Sequence, residues 1–143
     1  MTAIEKRNYK IKLHQYAVEI IRGRIAEIMI SIENAQASAN SEEKSSAGDK
    51  YETSRAMGHL QKDMHAKQLA ANNRELAALL SIDCEMLYHS VTAGCVLSCS
   101  SFSFFIAAGL GKINFEGENI YFLSPGAPFT RSILHKKTGD IIN

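Results

Sequence analysis

The sequence predicts an α+β protein: a long N-terminal antiparallel α-helical coiled-coil hairpin, then a small C-terminal antiparallel β-sheet domain with one short helix. Three observations predict it. Val18, Ile21, Ile25, Ile28, Ile32, Ala35 and Ala39 recur at steps of three and four, the period of a coiled-coil seam. A glycine break at Gly48 separates that run from a second helical stretch, and two helices joined by a short connection fold back on each other. Beyond about Leu87 the pattern turns to short β-branched and aromatic runs punctuated by glycine and proline.

The first helix is expected from about Thr2 or Glu5 to about Ser41. Leu13, Tyr16, Ile20, Met29 and Ile30 widen its apolar stripe beyond the seam. Gly23 weakens the helix locally, by about 1 kcal/mol relative to alanine. The seam shrinks from isoleucine to alanine toward Ala39, which lets two backbones approach closely. Asp49, with Glu52 three residues on, reads as an N-cap for a second helix from about Lys50 to about Leu80 or Asp83. Its inward residues are expected to be Ala56, Met57, Leu60, Met64, Ala71, Leu76, Leu79 and Leu80, a less regular seam than the first. These elements define a hairpin domain over residues 1–85, with an acidic tip at about 42–52, and a β-rich domain over residues 86–143.

In the second domain, strands are expected within Val91–Ser98, Ser101–Ala108, Lys112–Phe115 and Asn119–Leu123. Glu116-Gly117-Glu118 reads as a hairpin turn. Ser124-Pro125-Gly126-Ala127-Pro128 reads as a loop, Thr130–His135 as a short helix, and Lys136–Asp140 as a turn. Phe102, Phe104 and Phe105 are assigned to the sheet core.

Composition narrows the classes of function. The 143 residues suit one domain or two small modules. A formal net charge of +1 supplies no global field to drive the chain onto nucleic acid or membrane. No run of 18 apolar residues is present, so no membrane span is expected, and Met1–Arg7 leads into no apolar signal segment. Three cysteines, Cys84, Cys95 and Cys99, lack the spacing of a zinc or redox pair and fit buried thiols in a reducing cytoplasm. His59 and His65, six apart, do not share a helix face and are expected in solvent. No nucleophile elbow and no phosphate-binding glycine loop occurs.

The chemistry concentrates at the tip. Asp49 and Glu52, spaced i, i+3 in an opening helical turn, fall on one side of it. Two such carboxylates can share a hard cation such as Mg²⁺ with water and phosphate oxygens. Glu42 and Glu43 add negative charge across the connection, and Lys44 and Lys50 oppose it. The same residues can serve as a capping box on a solvated loop.

Gly48-Asp49-Lys50-Tyr51-Glu52 resembles the tip motif of the bacterial Gre transcript-cleavage factors and sits at the matching place between two helical arms. Leu123-Ser124-Pro125-Gly126-Ala127-Pro128-Phe129, followed by Ile133-Leu134-His135-Lys136-Lys137-Thr138-Gly139-Asp140, is similar to that family's C-terminal signature. The similarity is one of order and spacing over nearly the whole chain. It implies a transcription elongation regulator that binds RNA polymerase and places its coiled-coil tip in the secondary channel. There Asp49 and Glu52 would help hold a Mg²⁺ and a water at the polymerase active site, and backtracked RNA would be cleaved. The factor would be no enzyme by itself, would bind no cofactor alone, and would touch nascent RNA only indirectly. The β-rich domain would be immunophilin-like and dock on the polymerase through Ser124, Pro125, Lys136 and Lys137.

The sequence departs from the family pattern at named places. Thr53-Ser54-Arg55-Ala56 follows the tip where the family has Asn and a further acidic residue, and His135 stands where the family has Gly. The chain ends at Asn143 where the family continues with another strand, so an open sheet edge is expected. Two other readings stay beside the first: a channel-binding inhibitor without cleavage activity, and a structural coiled-coil module that self-associates.

Overall fold

The computed structural model describes residues 2–45 and 49–141, with the side chains of residues 39–52 and 54 outside that description. The elements are α1 (Ala3–Ser45), α2 (Asp49–Leu80), β1 (Val96–Ser98), β2 (Ser103–Ile106), β3 (Gly111–Phe115), β4 (Glu118–Leu123) and α3 (Pro128–Ile133). The mixed α+β class is as expected. Compactness divides the chain into Ile21–Arg74, which is helical throughout where described, and a second unit formed by the residues up to Ile20 with those from Glu75 onward.

A reciprocal cap starts α1. Glu5 N donates to Thr2 Oγ1 at 3.1 Å, and Thr2 N donates to Glu5 Oε2 at 3.3 Å, which satisfies two of the amides a helix start leaves free. Along α1 the sheltered positions are Val18, Ile21, Ile25, Ile28, Ile32 and Ala35, the residues whose spacing announced them. Ala39 lies outside the described side chains.

On α2 the expected seam is corrected. Ala56, Met57, Leu60, Met64 and Leu80 are exposed, and the sheltered positions are Gly58, His65, Leu69, Asn72, Leu76 and Leu79, with Ala71 beside them. From His65 onward those advance by four and three, and Gly58 stands one heptad before His65. The large apolar side chains in its first half, Met57, Leu60 and Met64, are left to solvent. His65 belongs to the sheltered stripe rather than to solvent, and His59 is exposed as expected.

The sheet runs β1-β2-β4-β3 and is mixed, not wholly antiparallel. β1 pairs antiparallel with β2, and β3 antiparallel with β4, but β2 and β4 run parallel with Phe104 beside Tyr121 and Phe105 beside Phe122. The reason lies in the connection Ala107–Leu110. Its four residues leave β2 and pass over one strand's width, about 10 Å for two interstrand steps. The β3–β4 hairpin then folds back and fills the gap. That hairpin closes through Glu116 (φ 51°) and Gly117 (φ 82°), the two positive-φ residues of a type I′ turn, as the Glu-Gly-Glu spacing announced. Val91–Cys95, expected to be strand, is instead a turn: Cys95 N donates to Thr92 O at 3.1 Å with Gly94 at φ 90°.

Strand alternation puts Phe105, Phe122, Ile120, Ile113 and Phe115 on one face. Phe115 meets Tyr9 and Tyr16 of α1, at 5.8 and 5.2 Å between ring centroids, so this face lies toward the base of α1. Leu13, Ala17 and Leu79 are buried among the helix bases. There His14 Nε2 donates to Leu79 O at 2.5 Å, and Glu75 Oε2 accepts from Gly109 N at 2.7 Å, tying α2 to the β2–β3 connection. The opposite face gathers Val91, Cys95, Phe104, Ile106 and Ile133, with Tyr88, Leu97, Cys99, Tyr121 and Leu123 packed against them.

Lys10 is the one buried cation among the described residues, only 2% exposed. Its Nζ donates to Met86 O at 2.8 Å and lies 4.8 Å from the centre of the Tyr88 ring. Burial lowers its pKa, while burial raises those of the thiols of Cys84 and Cys95 nearby, against the pull of Lys10. The unfolded chain therefore keeps the lysine proton to higher pH than the fold does, so this group's contribution to stability rises with pH below 10.5. The thiols act oppositely: the unfolded chain loses their protons first, and stability falls as pH passes 9.0. Lys10→Met removes the rising part and frees the thiols to shift further. Urea unfolding from about pH 7 to about pH 10 is expected to show wild type gaining on the variant as pH rises. A gap that stays constant refutes this account.

Candidate functional site

The two segments singled out by sequence lie at opposite stages of the chain. At the tip, α1 ends at Ser45 and α2 begins at Asp49. Asp49 and Glu52 are thus both in the first turn of α2, where the positive end of the helix dipole favours carboxylates. The side chains of Glu42, Glu43, Asp49 and Glu52 lie outside the described residues, as do those of Lys44 and Lys50. Among the described residues no cluster of three or more His, Cys, Asp or Glu is placed to hold a metal ion.

The second segment is built in detail. Ser124 O accepts from Ala127 N at 3.1 Å, forming a turn with Pro125 exposed at its corner and Ser124 half-buried. Pro128 opens α3, a position that suits a residue with no amide hydrogen to satisfy. The helix therefore starts two residues before the expected Thr130 and stops at Ile133, which is fully buried. Arg131 N donates to Ala127 O at 2.9 Å and Ser132 Oγ to Phe129 O at 2.6 Å. Thr130 is buried too, and its hydroxyl has no hydrogen-bond partner among the described residues.

After α3 the chain reverses. His135 N donates to Val91 O, and Val91 N to Lys136 O, both at 2.9 Å. Lys137 N donates to Asp140 Oδ2 at 2.7 Å, and Asp140 N returns a bond to Lys137 O at 3.0 Å, with Gly139 at φ 95°. Asp140 thus holds the turn that presents the Lys137 side chain to solvent, while the Lys136 side chain is half-buried.

His135 adopts φ 68°, a left-handed conformation that strains any residue with a Cβ. Glycine reaches this conformation without that strain. His135→Gly keeps the amide bonded to Val91 and relieves the strain. The exchange is expected to stabilise the fold by roughly 1 kcal/mol, less what the more flexible unfolded chain takes back. Thermal or urea unfolding checks it, and a destabilised variant would contradict it.

Sequence reasoning missed an aromatic ledge beside this loop. Phe104 and Phe105 are buried as expected, but Phe102 is half-exposed, at the end of the Cys99–Phe102 turn where Cys99 N donates to Phe102 O at 2.7 Å. Phe102 lies 5.4 Å from Tyr121 and 6.5 Å from Phe104, and Phe104 lies 5.1 Å from Phe129 of α3. Phe129 is exposed as well. The serines around Phe102 carried the signal, since they mark a turn rather than a strand interior. The ledge thus joins Phe129, next to the Ser124–Pro125 corner in sequence, to the β1–β2 turn.

No family model, no curated protein and no solved structure matches this chain.

Proposed function

We propose that this chain is a Gre-like regulator of bacterial RNA polymerase, whose α1–α2 coiled-coil hairpin carries Asp49 and Glu52 into the secondary channel and stimulates cleavage of backtracked RNA. The observation that carries the reading is the Gly48–Glu52 motif at the junction of two long helices, together with the Ser124–Asp140 signature in a small sheet domain. The 32 residues of α2 extend about 48 Å, a reach suited to a channel. Regular sheltered stripes at heptad spacing on both helices support their pairing.

Asp49 and Glu52 offer hard oxygen donors in one helical turn, the donor type Mg²⁺ takes when it keeps water and phosphate ligands as well. Bound there, such an ion supplies an activated water and stabilises the departing oxygen. The chain's own part is to deliver two carboxylates at a fixed spacing and to hold them at the end of a stiff support. The Ser124–Pro125 corner, the Phe102–Phe129 ledge and the exposed Lys137 would dock on the outside of the channel.

The deciding experiment adds the chain to bacterial RNA polymerase halted and backtracked on a DNA template, with Mg²⁺ present. Shortening of the RNA from its 3′ end, beyond what polymerase does alone, is the expected result. A chain that neither binds polymerase nor changes its transcripts would end this reading. Binding that blocks cleavage instead would select the inhibitor reading.

A further inference from the structure

We draw no further inference here: the strongest candidate, the exposed apolar face that Met57, Leu60 and Met64 form on α2, carries none because nothing in the structure shows what covers it.

Discussion

With Asp49 and Glu52 both changed to alanine, the chain is expected to bind RNA polymerase nearly as wild type does and to leave backtracked RNA uncut. On the proposed reading the two carboxylates make no large contact with the polymerase wall, so removing them takes little from affinity. They contribute only to the metal-dependent step. Loss of even indirect support for a metal ligand lowers activity by about 10- to 100-fold, and loss of two ligands should reach on the order of a hundredfold or more. Asp49→Asn and Glu52→Gln preserve shape and remove charge, so they should be nearly as damaging as alanine if charge is what the site needs. Gel analysis of 3′-labelled RNA over time measures the rate, and a parallel binding titration separates chemistry from docking. A double variant that cleaves at the wild-type rate would remove the tip from the mechanism.

The second large effect concerns the fold. Phe105→Ala is expected to lower the stability of the sheet unit by about 3–5 kcal/mol. Phe105 is fully buried and stacks on Phe122, its partner across the parallel β2–β4 pair, with centroids 5.3 Å apart and an interplanar angle of 20°. Truncation loses both the apolar transfer energy and the aromatic pairing, and β2 is interior to the sheet, so the gap cannot close by moving an edge strand. Leu60→Ala makes the internal control. Leu60 is 67% exposed, and its truncation should change stability by no more than about 0.5 kcal/mol. Urea unfolding of both variants checks the contrast. Equal losses would mean that Leu60 is buried after all, as the sequence pattern first suggested.

Leu60 and Phe102 show where sequence reasoning stops. A three-four repeat identifies the stripes a helix has, not which of them meets a neighbour. α1 carries one dominant stripe, so its sheltered positions from Val18 to Ala35 were legible in the sequence. On α2 the large side chains of Met57, Leu60 and Met64 were assigned inward and are exposed, while Ala71, Leu76 and Leu79 are sheltered as expected. The sheltered stripe includes Gly58, His65 and Asn72, residues that close packing tolerates but that hydropathy does not reveal. Phe102 was read as core from its type, yet it sits at a turn end, where burial depends on what crosses over it.

Local chemistry was legible wherever one residue type was needed by the backbone. The Glu116-Gly117 turn follows from the positive φ that glycine tolerates. The change to β structure after α2 is in the sequence for the same reason: conformational preference acts within a few residues. The parallel pairing of β2 with β4, the burial of Lys10 against Met86 and Tyr88, and the left-handed turn at His135 are not. Each depends on groups far apart in the chain, and only the closed fold decides which of them come within reach of one another.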